Sequence, residues 1–218
     1  MEQLDWPEWT RLAPIDVPVS QGLRLQPHPR RSKRNPVPWL PDKLFFAVLP
    51  TATAAERIAQ QADRLRRRYR MGGQPLSTER LHVTLRGVGS YSCLPADVLA
   101  AAIAAGSSVE VAPFEVTVDQ ALSFRGKQAL PFVLRCGRGV PELTTMRNVL
   151  GTAMRRTGLA LGDRSSFTPH VTMLYDKQSV PETSMDEPIT WTAREFVLVH
   201  SLQGKSRHAH CARWPLRG

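Results

Sequence analysis

The tripeptide His-Val-Thr occurs twice in this chain, at His82-Val83-Thr84 and again, 88 residues on, at His170-Val171-Thr172. Each copy lies in an apolar run that reads as a strand, Leu81–Leu85 and Phe167–Tyr175. Side chains alternate faces along a strand, so each His shares a face with the Thr two residues on, and the valine between them turns into a core. A fold that sets the two strands side by side gathers two imidazoles and two hydroxyls around one small space. Such a space suits a phosphate.

The elements around the motifs alternate in type. Leu44–Leu49 is a short continuous apolar run and reads as a buried strand. Thr51 and Thr53 offer caps for a helix over residues 54–70, with Ile58, Ala62, Leu65 and Tyr69 inward and six arginines on the other faces. Met71-Gly72-Gly73 marks its end. The first motif strand is expected over 80–88. A second helix runs from Leu94 to about Ala105, with Val98, Leu99, Ala102 and Ile103 inward. Strands follow over 114–119 and 130–135, joined by a basic tip that carries Phe124 and Lys127. A third helix over 141–157 buries Leu143, Met146, Leu150 and Met154 and closes at Gly158. The second motif strand and two final strands, 189–202 with gaps and 208–214, complete an α+β chain with a hint of internal duplication. Outside the motifs the two halves show no visible match.

Residues 1–41 stand apart as a Pro-rich, basic N-terminal extension to a domain over 42–218. They hold 8 of the 18 prolines, and no acidic residue falls between Arg24 and Arg34. Such a segment reads as an extended or loosely docked arm, although Trp6, Trp9 and Trp39 suggest that parts of it pack. The formal net charge of +10 favours polyanions as partners, RNA and nucleotides among them. Cys93, Cys136 and Cys211 are odd in number and lack CxxC spacing, and do not read as a disulfide framework or a zinc knuckle. With neither a signal-peptide pattern nor an apolar stretch of membrane-spanning length, the chain is expected in a reducing cytoplasm, away from membranes, as a monomer.

A lone strand histidine is most often a packed core residue; a His and Thr repeated at one offset in both halves asks for another explanation. Opening a cyclic phosphodiester needs a base to take a proton from water and an acid to protonate the departing alkoxide. Imidazole serves as either near neutral pH. Hydroxyls from the threonines can donate to the non-bridging phosphate oxygens.

With His82-Val-Thr-Leu85 and Phe167-Thr-Pro-His-Val-Thr-Met173 the chain resembles the 2H phosphoesterases, and within them the LigT-like RNA 2′,3′-cyclic phosphodiesterases, also called the 2′-5′ RNA ligase family. The resemblance runs from about Leu44 to Leu216. It implies a bilobal fold with two pseudo-symmetric lobes around a central cleft, and no metal or other cofactor. It also implies His82 as proton donor to the leaving oxygen, His170 as the base that activates water, Thr84 and Thr172 as phosphate holders, and a 2′-phosphomonoester product. The substrate would be RNA or a nucleotide with a cyclic phosphate end. A 2′-5′-linked oligonucleotide or ADP-ribose cyclic phosphate would suit the same site, and a non-catalytic RNA-end-binding module is the competing class.

Two arginines extend the list of phosphate-binding candidates. Alternation places Arg86 on the face of His82 and Thr84, and Arg164 lies six residues before His170. His208-Ala-His210-Cys211 lacks a fourth ligand at suitable spacing and is not read as a zinc site. Phe124 and Tyr175 are open between stacking on a base and plain packing.

Overall fold

The computed structural model describes residues 41–126, 128–160, 167–204 and 207–218. The N-terminal arm up to residue 40, Lys127 at the basic tip and the candidate Arg164 lie outside the described residues. In chain order the elements are β1 (Asp42–Val48), α1 (Ala52–Arg68), β2 (Val83–Tyr91), α2 (Ala96–Ser107), β3 (Phe114–Ser123), β4 (Leu130–Arg138), α3 (Val140–Arg156), β5 (His170–Asp176), β6 (Thr183–Ala193), β7 (Glu195–Leu202) and β8 (Arg207–Pro215). The strands form one antiparallel sheet in the order β6-β3-β4-β5-β2-β1-β7-β8. The three cysteines are free, and no described helix is long and apolar enough to cross a membrane.

Two four-stranded lobes make up this sheet, each with its motif strand innermost. Between the lobes β2 and β5 pair at Val83 and Val171 alone. The duplication hinted at by the motifs covers β1-α1-β2 and β4-α3-β5 in three dimensions, while α2 has no counterpart among the described residues of the second repeat. α1 and α3 have 17 residues each, and their first residues are 88 apart, the same offset as the histidines. Ala47 pairs with Thr84 as Val133 pairs with Thr172; Phe46 pairs with Arg86 as Phe132 pairs with Leu174. In both lobes one residue after the threonine, Leu85 or Met173, is squeezed out of the ladder as a β-bulge.

Two of the three described helices, α1 and α3, pack across to the other repeat. α1 follows β1 but lies against β5 and β6, where Tyr69 Oη and Thr183 Oγ1 are 3.3 Å apart. α3 follows β4 but lies against β2, with Arg147 Nη1 donating to the Leu85 carbonyl at 3.3 Å. The inner stripes of α1 and α3 match the helical spacing of the sequence: Ile58, Ala62 and Leu65 are buried, as are Leu143, Met146, Leu150 and Met154. Each large apolar side chain taken out of water in this way contributes about 1.5–3 kcal/mol.

Four expectations need correction. The segment 189–202 is two strands broken at Arg194, because β6 pairs with β3 at one edge of the sheet while β7 pairs with β1 in the other lobe. Local pattern carries no information about that change of partner. The first motif strand starts at Val83, after a turn over Thr78–Arg80. In α2, Ile103 is exposed, because the face toward the sheet is Ala102, Ala105 and Gly106; a Cβ on Gly106 would lie 2.5 Å from the Trp214 ring. The turn that closes α1 uses Arg70, not a glycine: Arg70, just past the C-cap Tyr69, is left-handed (φ 52°), and Met71 N–H donates to the Arg66 carbonyl at 2.9 Å.

Gly73 instead serves a close approach to β5. Its N–H donates to Asp176 Oδ2 at 2.7 Å, and a Cβ there would meet the Tyr175 carbonyl oxygen at 2.1 Å. Gly73→Ala is therefore expected to lower stability by about 1–3 kcal/mol, the usual range for overpacking. Gly72→Ala, with open space around it, is the near-neutral control. Urea denaturation of both variants checks this, and equal effects would sink the contact role assigned to Gly73.

Candidate active site

The pairing of Val83 with Val171 sets the geometry of the site. Both valines are fully buried, so the residues flanking them turn to the opposite face. The antiparallel sense brings His82 to the side of Thr172 and Thr84 to the side of His170. All four line one cleft of about 580 Å³.

Both imidazoles are held in the same way. His82 Nδ1 donates to the Arg80 carbonyl and His170 Nδ1 to the Thr168 carbonyl, each at 2.7 Å and each two residues back along the chain. A carbonyl can only accept, so both neutral rings carry their proton on Nδ1 and leave Nε2 with a lone pair. Aromatic rings brace them: Phe45 stacks on His82 with centroids 4.9 Å apart, and Phe124 meets His170 edge-on at 4.8 Å. Phe124 thus packs on a motif ring, while Tyr175 is half exposed and lines the cleft.

Burial lowers the pKa of His82 to about 4; the Arg80 carbonyl opposes the shift, and positive charge on His170, Arg80 and His210 adds to it. His170 is lowered by burial as well, with the Thr168 carbonyl opposing. Both shifts favour the neutral ring at neutral pH. An anion seated between them would raise both values, because it stabilises the charged form.

Arg86 does not reach this space. The bulge at Leu85 shifts the alternation by one residue, so Arg86 pairs with Phe46 and turns to the helix side. There it is buried beside Gly151, and its Nε donates to the Arg147 carbonyl at 3.2 Å.

Among the groups lining the cleft that the sequence reading did not place there are Arg80, His208, Lys43 and Ser201. Arg80 extends from the turn before β2. His208 comes from β8, with its ring centroid 5.2 Å from that of His82. The His-Ala-His spacing that raised a metal is the period of a strand, which puts both rings on one face. His210 there accepts at Nδ1 from Arg213 Nη2, 2.9 Å away.

A family model described as the 2′-5′ RNA ligase superfamily matches residues 54–205. The fold is similar to that of LigT from E. coli in its apo form, at a TM-score of 0.62 and 25% identity over 82% of this chain and 99% of that one. The same figures hold for E. coli LigT complexed with 3′-AMP. The protein TT0787 of Thermus thermophilus has a TM-score of 0.65 at 20% identity, over 81% of this chain and 98% of that one, a likeness of fold. No curated protein matches by sequence.

The lowered imidazoles have a consequence for stability. His82 and His208 both titrate near 4 when folded and near the ordinary 6.5 when unfolded. Between those values the unfolded chain binds more protons, so stability present above pH 6.5 is lost as the pH falls toward 4. The double variant His82→Asn/His208→Asn is expected to flatten that decline in melting temperature. An unchanged slope would mean that other groups carry it.

Proposed function

This chain belongs to the 2′-5′ RNA ligase superfamily, an enzyme family of phosphodiester chemistry, and from that premise we propose that it hydrolyses 2′,3′-cyclic phosphodiesters of RNA or nucleotides to 2′-phosphomonoesters without a metal. The observation that carries the reading is the pair of imidazoles, each locked by a main-chain carbonyl with Nε2 left for the cleft. A lone pair on one Nε2 is a base for water, and a proton on the other is the acid that an alkoxide needs.

In the proposed reaction the phosphate lies between the two motif strands. His170 Nε2 takes a proton from water as its oxygen bonds to phosphorus. The P–O3′ bond breaks, and His82 Nε2 delivers its proton to O3′. Thr84 and Thr172 donate to the non-bridging oxygens, where the transition state holds its charge. The products are a 2′-phosphate and a free 3′-hydroxyl, and the histidines end with their protonation exchanged. The phosphate's own charge supports protonation of His82, whose pKa burial otherwise lowers.

His82→Ala and His170→Ala are each expected to fold and to lose about 10²–10⁴-fold in turnover of a short RNA ending in a 2′,3′-cyclic phosphate. Full activity in both pure variants would rule the mechanism out. The end-group of the product, formed in excess EDTA, is expected to be a 2′-phosphate. A 3′-phosphate would reverse the leaving group, and no reaction would leave phosphate binding without turnover.

The dependence of kcat/KM on pH follows the free enzyme. Both imidazoles lie below their ordinary 6.5, so the profile is expected to peak on the acid side of that value and to fall toward pH 8. A plateau reaching pH 8 would show that no imidazole of this pair acts as the acid.

A further inference from the structure

The wall of the cleft built on β1 carries a row of polar groups that the proposed chemistry does not use. Lys43 pairs with Ser90 on β2 and with Ser201 on β7, and Ser201 pairs with His208 on β8. Residues paired across strands point to one face, and all four line the cleft. The Ser201 hydroxyl is buried and accepts from Gln203 Nε2 at 3.0 Å, which leaves its own proton to donate.

Arg80 faces the same row from the turn before β2. Its Nε is buried and has no hydrogen-bond partner among the described residues. A buried donor left unpaired costs free energy that a ligand oxygen restores. Not one Asp or Glu occurs among the described residues lining the cleft, which holds Lys43, Arg80 and three histidines. The row is adjacent to the motif histidines and separate from them, with His208 as the neighbour of His82. Donors and cations with no carboxylate select an anion, and a guanidinium favours phosphate oxygens.

We propose that Lys43, Arg80, Ser201 and His208 form a second anion subsite that takes the phosphate esterified to the 5′ oxygen of the terminal nucleoside. This inference rests on the reading of the cleft as a phosphodiester site. The enzyme then measures one nucleotide between two phosphates: the cyclic one lies at His82 and His170, and its 5′ neighbour lies on the β1 wall. Substrates that lack a 5′ phosphate engage half of the cleft.

Calorimetric binding of unreactive product mimics tests the subsite apart from turnover. The full chain, in EDTA, is expected to bind adenosine 2′,5′-bisphosphate at least tenfold more tightly than 2′-AMP. Lys43→Gln/Arg80→Gln, which leaves the Arg80 carbonyl that holds His82 in place, is expected to cut that advantage below twofold. Lys43→Gln alone, at an exposed position, is expected to cut it in part and guards against misfolding of the double variant. A dinucleotide with a 2′-phosphate end gains as much where the subsite takes a strand's internal diester, and less where it takes a terminal monoester. Equal affinity of the wild-type protein for the two adenosine compounds, or an undiminished advantage in the double variant, would overturn the proposal. Failure of the cyclic phosphodiesterase reading shows separately, as bound nucleotide with no turnover of cyclic-phosphate RNA.

Discussion

A single antiparallel contact, Val83 against Val171, is the constraint on which the rest of this structure depends. It is the only pairing between the two motif strands, so the sheet continues from one lobe to the other through it. Because each valine is buried, its flanking His and Thr have no choice of face. The antiparallel sense then crosses the pairs, and the two imidazoles come from opposite sides of the space. One contact could not hold two lobes together unaided. The exchange of helices supplies the rest, with α1 lying on β5 and β6 and α3 on β2, so that separating the lobes would expose the stripes of both helices.

The electrostatics of the cleft follow from how it is built. A histidine that donates Nδ1 to a carbonyl two residues back is fixed in orientation and in tautomer by its own strand. Burial lowers the pKa of both rings, and at His82 the neighbouring Arg80 and histidines lower it further. The result is a neutral pair of rings in a wall of donors, poised to take up charge only when an anion supplies the counter-charge. The chain's net charge of +10 is the long-range version of the same preference.

Much of this is legible in the sequence, and the misses have physical causes. The inner stripes of α1 and α3 are readable because helical periodicity is a local property. The motif residues are readable because strand alternation is local too. Arg86 is misplaced by that same rule: a bulge shifts alternation by one residue, and Leu85 differs in no visible way from a residue that stays in register. Ile103 is misplaced because its helix packs through small residues against Trp214, a contact set by a strand more than a hundred residues away. Tyr175 and Phe124, open as aromatics in the sequence, differ in the fold because one lies at the rim of the cleft and the other behind His170.

By itself, the sequence determined the chemical groups, the repeat offset of 88 residues and the faces on which each His and Thr lie, because these follow from residue identity and the period of a strand. Only the tertiary structure decided which strands meet, that α1 and α3 each cover the other repeat, and that Arg80 and His208 rather than Arg86 share the cleft. Those outcomes depend on pairing between distant segments and on single-residue bulges, and neither leaves a trace in local pattern.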